Sequence, residues 1–313
     1  MTIAKRPVAL AGRPALPRLV RLLLAFVTFG LFAGGLALAQ KPGFSPTRFS
    51  VEVAGEGPDV ILVPGLATSR EVWRDAAGRL GPGYRVHLVQ VKGFGEPAGP
   101  NAQGPVLEDL VDELARYIAN NGLERPAVVG HSLGGLAALM LGVEHPSLAG
   151  RLMIVDAFPW YGVTVTQPGA QATAASIEPQ ARMMRDALVA SYGTPQSPEQ
   201  TEAAIARYVL DPSKLPLLRE WTAGADPRVV GQLVYEDLIT DLRTRIAGIE
   251  APLTLIYPWN ERYPTREQAE GFYGANYAAL PRAELVAVGP AAHFVMTDQP
   301  DAFQARLEEF LAD

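Results

Sequence analysis

The chain has no cysteine, and this absence excludes several kinds of protein. Disulfide bonds, thiolate metal sites and a lipid-modified cysteine all need that residue, so the fold must depend on its hydrophobic core alone. Histidine is scarce as well. The four histidines are scattered and form no H-E-x-x-H cluster, which argues against a zinc hydrolase. We therefore expect a protein that needs neither a metal nor a cofactor.

Acidic residues are missing from the first 39 residues, although five basic ones occur there. The whole chain has a net charge of −6, so the part after residue 39 is more acidic still, which argues against nucleic acid as a partner. Residues 22–39 are apolar and end in Ala-Leu-Ala, a pattern typical of an export signal. We expect cleavage after Ala39 and a periplasmic or secreted protein. An uncleaved membrane anchor is the alternative, because this run approaches the length that spans a bilayer.

Beyond residue 40, β-rich runs alternate with helical patterns. With 313 residues, of which 48% are hydrophobic, the chain can bury a large core. Residues 106–121 carry apolar side chains at helical spacing, and this pattern stops at Gly122. The alternation predicts an α/β fold with a mostly parallel sheet covered by helices on both faces. The predicted strands are residues 48–53, 60–63, 84–91, 126–129, 151–155, 253–257 and 283–288.

One segment breaks the alternation. Residues 157–250 contain no convincing strand and are rich in proline, aromatic residues and helix formers. An insertion of this size between two strands of one sheet predicts a helical cap over the C-terminal edge of the strands. The predicted organisation is a signal peptide or anchor at 1–39, a core formed by 40–156 and 251–313, and the cap between them.

The segment Gly130-His131-Ser132-Leu133-Gly134 lies between a predicted strand and a predicted helix. G-x-S-x-G in that context is the pattern of a nucleophile elbow. The turn is so tight that the positions two before and two after the serine must lack side chains, which leaves Ser132 projecting from the sheet edge. The N-terminus of the following helix offers N–H groups to a developing oxyanion. We therefore expect Ser132 to be a nucleophile.

With this elbow the chain resembles the α/β-hydrolase superfamily, over residues 50–312, and in particular serine esterases and lipases with a helical cap. Residues 62–73 are similar to the strand and loop that supply the second oxyanion donor, with Pro64 in the place of the usual histidine. The resemblance implies an oxyanion hole formed by the N–H groups of Leu66 and Leu133.

The resemblance also indicates the general base. Residues 289–303 are similar to the family's loop that carries the catalytic histidine just before the last helix, and His293 lies there. The other histidines lie in a predicted strand, inside the elbow and near a helix end, where a base for the serine is not expected: His87, His131 and His145. We therefore expect His293 to activate Ser132.

Two residues are candidates for the acid of the triad. The family's usual site is the loop after the next-to-last core strand, where residues 255–264 align Glu261 with the usual aspartate. Asp156 ends the strand that follows the elbow helix, a position from which some family members recruit their acid. Asp156 needs no alignment gap, whereas Glu261 lies at the commoner place. Both alternatives stay open from the sequence.

The resemblance implies a serine hydrolase that cleaves carboxylic esters through an acyl-enzyme intermediate, and the N-terminal pattern predicts that it is exported. Phe158, Trp160 and Trp259 are candidates for an apolar substrate pocket. Thioesters, lactones or amides could be cleaved by the same triad. A catalytically silent envelope binding protein of the same fold is the alternative from another class.

Overall fold

The computed structural model describes residues 43–167, 171–194, 197–262 and 264–312. The predicted export signal or anchor, residues 1–39, lies outside the described residues. Within them, no helix combines the length and the apolar character needed to cross a bilayer.

Seven strands of the described chain form one sheet. The strands are β1 (Phe49–Ala54), β2 (Asp59–Val63), β3 (Arg85–Val91), β4 (Ala127–His131), β5 (Arg151–Val155), β6 (Leu253–Pro258) and β7 (Glu284–Val288). Their order across the sheet is β1-β3-β2-β4-β5-β6-β7. Only β1 runs antiparallel to its neighbour, and every other neighbouring pair is parallel. The predicted mostly parallel sheet is confirmed.

Helices connect and cover these strands. They are α1 (Arg74–Leu80), α2 (Leu107–Asn120), α3 (Leu133–Glu144), α4 (Ala174–Ala190), α5 (Pro198–Ile205), α6 (Leu215–Ala223), α7 (Pro227–Ile239), α8 (Arg266–Asn276), α9 (Val295–Asp298) and α10 (Pro300–Ala312). Short 3₁₀ helices include residues Tyr161–Thr164 and Ala206–Tyr208. Strand and helix bounds agree with the sequence pattern to within two residues.

The sheet is buried on both faces. Successive residues of a strand alternate between two hydrophobic clusters: in β4, Val128 packs in one and Val129 in the other, and β5 divides Ile154 from Met153 in the same way. Because both faces are covered, the central strands are continuous apolar runs in the sequence. Strand β4 continues past its predicted end at residue 129, since Gly130 and the residue after it still pair with β5.

Helices α4 to α7 fill the connection between β5 and β6, and the described part of that connection contains no strand of the sheet. The carboxylate of Glu236, in α7, accepts hydrogen bonds from the N–H groups of Val106 (3.0 Å) and Leu107 (2.7 Å) where α2 begins. Helices α5 and α6 pack with the segment just after β7, through Ile205, Leu218, Trp221 and Phe294. The described part of segment 157–250 is thus helical, as predicted, and it packs against the start of α2 and the segment after β7. Its status as a separate cap domain stays a prediction.

Candidate active site

Ser132 lies at the sharp turn between β4 and α3. Its backbone has φ 53° and ψ −123°, a left-handed conformation that residues other than glycine seldom adopt. The Ser132 N–H donates to the Val155 carbonyl at 2.9 Å, which ties the turn to the neighbouring strand. Strain of this kind persists only where the surrounding structure enforces it, and it directs the serine side chain away from the sheet edge.

The two glycines of the elbow are sterically required. A Cβ atom at Gly130 would lie 2.1 Å from the Gly134 carbonyl oxygen, and one at Gly134 would lie 2.4 Å from the Val63 carbonyl oxygen. Neither distance is compatible with a side chain, and both neighbours are backbone atoms that cannot turn aside. The predicted reason for the glycines therefore holds in the structure.

The loop after β2 lies directly against the elbow. A Cβ atom at Gly65 would lie 3.0 Å from Ser132 Cβ, so the next residue, Leu66, begins beside the serine. The hydroxyl of Thr68 donates to the Leu66 carbonyl at 2.9 Å and holds this loop. Within the described chain, the N–H groups of Leu66 and Leu133 donate to no other backbone atom. Both are therefore available to an oxyanion at Ser132.

Asp156 stands at the end of β5, next to β4 in the sheet. Its backbone is also left-handed, with φ 46°, and its N–H donates to the Ile256 carbonyl at 2.9 Å. Carboxylate oxygen Oδ2 lies 2.6 Å from Nδ1 of His293. The other oxygen, Oδ1, accepts a hydrogen bond from the hydroxyl of Tyr273. The carboxylate is 10% exposed and the imidazole 26%, so the carboxylate is mostly shielded from solvent and the imidazole is partly exposed.

His131 connects the histidine loop to the elbow. Its Nε2 lies 3.0 Å from the His293 carbonyl oxygen, and the two rings are 4.4 Å apart. Burial, together with the nearby charge of His293, lowers the pKa of His131 well below its ordinary value. A neutral His131 donates from Nε2. No direct hydrogen bond joins Ser132 Oγ to His293 within the described residues.

The helical insertion contacts the same loop. The Tyr208 ring lies 5.4 Å from the His293 ring, and the Tyr208 carbonyl accepts the Phe294 N–H at 3.1 Å. Sequence analysis missed Tyr208 and also Tyr273, because each is far along the chain from the residue that it contacts. The signal for Tyr273 is its spacing from Ala269, which places both residues on the buried face of α8. A buried helix face indicates core packing, however, and does not by itself indicate a hydrogen bond to the site.

The remaining sequence candidates occupy different surroundings. Glu261 is exposed on the loop after β6, and no hydrogen bond joins it to His293 in the described residues. Phe158 stacks on Tyr273 at 5.0 Å, adjacent to the Asp156 carboxylate. The Trp160 side chain is buried among helices of the insertion, and its indole N–H donates to the Leu238 carbonyl. Trp259 lies on the loop after β6, and its carbonyl accepts the Ala291 N–H at 2.8 Å.

The structure thus brings a hydroxyl, an imidazole, a carboxylate and two unpaired N–H groups to the C-terminal edge of the sheet. Nδ1 of the imidazole faces the carboxylate, which leaves Nε2 as the nitrogen that can accept a proton. This set is the one used in acyl transfer by serine hydrolases. In the described parts of the chain, no three or more histidine, aspartate or glutamate side chains are grouped so as to hold a metal ion.

Known proteins share this architecture. The profile of the alpha/beta hydrolase family matches residues 60–306. The pimeloyl-[acyl-carrier protein] methyl ester esterase of Vibrio atlanticus is 25% identical over 273 residues, which cover 82% of this chain and 96% of that enzyme. A shorter match, 37% identical over 100 residues, covers 32% of this chain and 36% of a Yersinia enterocolitica protein provisionally named carbamate hydrolase RutD.

Solved structures agree with the fold. A thermophilic esterase from Thermogutta terrifontis has a TM-score of 0.69 at 20% identity, with 88% of this chain and 98% of that chain covered. The enol-lactonase from Burkholderia xenovorans has a TM-score of 0.67 at 19% identity, with 87% and 100% covered. At these identities the likeness concerns the fold. The family profile extends over most of the chain, from β2 to α10, and the predicted family is confirmed: the chain belongs to the alpha/beta hydrolase family.

Proposed function

We propose that this protein is an exported serine esterase that cleaves carboxylic esters with Ser132, His293 and Asp156. One observation carries the assignment: Nδ1 of His293 lies 2.6 Å from the Asp156 carboxylate, on the loop that His131 ties to the elbow of Ser132. The same contact favours Asp156 over Glu261 as the acid, because Nδ1 can donate its single proton to only one carboxylate at a time.

The mechanism follows from the proton positions. With Nδ1–H held by Asp156, Nε2 of His293 accepts the proton of Ser132 as Oγ attacks the ester carbonyl carbon. The imidazolium formed in this step is stabilised by the carboxylate behind it. It then returns the proton to the leaving alkoxide, and a water molecule activated by the same nitrogen hydrolyses the acyl-enzyme. Because His131 is neutral, no second imidazolium opposes the charge that develops on His293.

The oxyanion of each tetrahedral intermediate is assigned to the N–H groups of Leu66 and Leu133. Leu133 is the first residue of α3, so its N–H points out of the helix N-terminus, where the helix dipole also favours negative charge. Leu66 approaches from the loop that touches Ser132 at Gly65. Loss of one such donor costs enzymes about 10²- to 10³-fold in kcat, and backbone donors have the advantage that they are fixed before the reaction.

Family membership and the names of the relatives support ester cleavage. The Vibrio atlanticus relative is an esterase of a methyl ester, and the structural neighbours include an esterase and an enol-lactonase. Simple carboxylic esters are therefore the proposed substrates, and Phe158, beside the triad acid, is the best placed of the predicted pocket residues. Trp160 contributes to the packing of the insertion instead.

The test is labelling of the folded protein by a fluorophosphonate probe, together with turnover of p-nitrophenyl esters of graded acyl length. We expect labelling and turnover in the wild type, and a loss of about 10⁴-fold or more in Ser132→Ala, which also controls for contaminating esterases. A folded wild type that shows neither labelling nor turnover would contradict the enzyme and would favour a catalytically silent binding protein.

The export proposal rests on residues 1–39 of the sequence and has a separate test. Cell fractionation followed by N-terminal sequencing is expected to yield a periplasmic or secreted protein that begins at Gln40. Full-length protein in the membrane fraction would instead indicate the uncleaved anchor. Full-length protein in the cytosol would contradict export.

A further inference from the structure

The carboxylate of Asp156 accepts one hydrogen bond at each oxygen, and only one of them comes from the triad. Oδ2 receives His293 Nδ1–H, and Oδ1 receives the hydroxyl of Tyr273. Neither arginine nor lysine pairs with Asp156 in the described parts of the chain, and no backbone N–H there donates to its side chain. This mostly buried carboxylate is therefore held by two side-chain donors alone.

Tyr273 is itself held rigidly. It lies in α8, is 3% exposed, and stacks between the rings of Phe158 (5.0 Å, interplanar angle 20°) and Tyr257 (4.8 Å, 26°). Burial, followed by the neighbouring charge of Asp156, raises the pKa of Tyr273 well above its ordinary value. The phenol stays protonated at every working pH, so its hydroxyl can only donate when it faces the carboxylate.

We propose that Tyr273 is the positioning residue of the triad: it holds Oδ1 of Asp156 so that Oδ2 stays aimed at His293 Nδ1. This inference rests on the proposed function. An aspartate with one anchored oxygen cannot rotate about its Cβ–Cγ bond, and it therefore keeps the imidazole in the tautomer that leaves Nε2 free. Without the phenol, the His293 imidazole alone would hold the Asp156 carboxylate. Neither of the two side chains would then have an independent anchor.

The variant that tests this role is Tyr273→Phe, which removes one oxygen and keeps the stacked ring. We expect kcat to fall about tenfold, because the Asp156 carboxylate loses a charge-assisted hydrogen bond. KM should change by less than about twofold, because no contact in the substrate pocket is removed. Tyr277→Phe is the matched control. Tyr277 lies one turn further along the chain, directly after the end of α8, is also buried, and donates to the Ala157 carbonyl at 3.0 Å. Its kcat should stay within about twofold of the wild type.

A double-mutant cycle separates positioning from a general structural effect. If Tyr273 acts through Asp156, Tyr273→Phe should cause no further loss of kcat in an Asp156→Asn background, where the tautomer is already wrong. The same tenfold loss in both backgrounds would overturn the proposal. Melting temperatures of all variants, with Tyr277→Phe as reference, show whether a loss of kcat merely reflects unfolding at the assay temperature.

The rate of fluorophosphonate labelling distinguishes failure of this inference from failure of the proposed function. An unlabelled, folded wild type contradicts both. A labelled wild type with an equal labelling rate in Tyr273→Phe contradicts only the positioning role. A labelled wild type, a rate about tenfold lower in Tyr273→Phe and an unchanged rate in Tyr277→Phe are the results that we expect.

Discussion

Two aspartate–histidine pairs lie at opposite ends of the parallel strands. Asp156 and His293 meet at the C-terminal end, whereas Asp59, at the start of β2, meets His87 of β3 near the N-terminal end, with 2.7 Å between Oδ1 and Nε2. Each pair also includes a tyrosine, and the His87 pair contacts Tyr117 at 2.8 Å. The contact distances are nearly the same, so distance alone does not distinguish the proposed catalytic pair from a structural one.

The two pairs differ in what contacts the second imidazole nitrogen, the one that does not face the aspartate. Both nitrogens of His87 are occupied, by Asp59 and by a tyrosine hydroxyl, and its side chain is 3% exposed. The described residues offer His293 a partner only at Nδ1, and its side chain is 26% exposed. An imidazole can act as a base only if one nitrogen is free and a substrate can reach it. His293 meets both conditions and His87 neither.

The two aspartates also differ in the groups that contact their carboxylates. Burial disfavours the charge on Asp59, but hydrogen bonds from Arg85 and His87 hold its pKa below the ordinary value. Arg85 thus neutralises that carboxylate permanently. Asp156 accepts a phenol hydroxyl instead, and the described residues place no arginine or lysine beside it, so no permanent cation competes with an imidazolium on His293. A surface cavity of about 510 Å³ lies beside Asp59, but no serine or threonine lines it. The Asp59 pair therefore has a cavity beside it but no serine or threonine among the residues that line this cavity.

The largest expected effect is on catalysis. Asp156→Asn should reduce kcat by about 10⁴-fold, because the amide no longer holds the correct tautomer of His293. Asp59→Asn, the equivalent change at the other pair, should leave kcat within about twofold of the wild type. Ester turnover of the two purified variants at pH 7 measures both values. Equal losses in the two variants would contradict the distinction between the pairs.

The converse effect is expected on stability. Asp59→Asn should lower the free energy of unfolding by about 1–3 kcal/mol, because it breaks hydrogen bonds that Arg85 and His87 make in a buried place. Asp156→Asn should change it by less than about 1 kcal/mol, because the amide oxygen can still accept the Tyr273 hydroxyl and no arginine loses its partner. Urea unfolding of both variants measures this difference. A larger loss of stability for Asp156→Asn would mean that its pair also holds the fold together.

The sequence predicted some parts of this comparison and not others. Gly130, Ser132 and Gly134 lie within one short segment of the chain, so local sterics alone indicate the elbow, and the apolar runs indicate the strands because both sheet faces are buried. The sequence could not choose between the two candidate acids, since Asp156 and Glu261 each follow a strand and only tertiary packing decides which one contacts the histidine. The tyrosines of both pairs lie on apolar helix faces, where a packing role and a hydrogen-bonding role have the same pattern.

A smaller effect concerns the pH dependence of stability. Burial lowers the pKa of His87 despite the adjacent Asp59, so the folded protein takes up this proton less readily than the unfolded chain, whose histidines titrate near about 6.5. The unfolded state then binds more protons below that pH, and stability decreases as the pH falls.

His87→Gln removes this contribution. Between pH 7.5 and 5.5 its free energy of unfolding should decrease less steeply than that of the wild type, by at most about 1.4 kcal/mol per pH unit. Buried His131 remains in both proteins and accounts for part of the slope that is left. Urea unfolding at several pH values provides the slopes. An equal or steeper slope in His87→Gln would show that the folded protein protonates His87 as readily as the unfolded chain.

The smallest expected effect belongs to the other acid candidate. Glu261→Gln should leave kcat/KM within about twofold of the wild type, because this exposed carboxylate makes no hydrogen bond to His293 in the described residues, and surface substitutions of this kind seldom matter. Ester turnover assayed beside Asp156→Asn measures it, and thermal unfolding controls for the loop. A loss above tenfold would mean that the loop after β6 closes onto His293 when substrate binds, and Asp156 would then have the structural role that Asp59 has at the other end of the sheet.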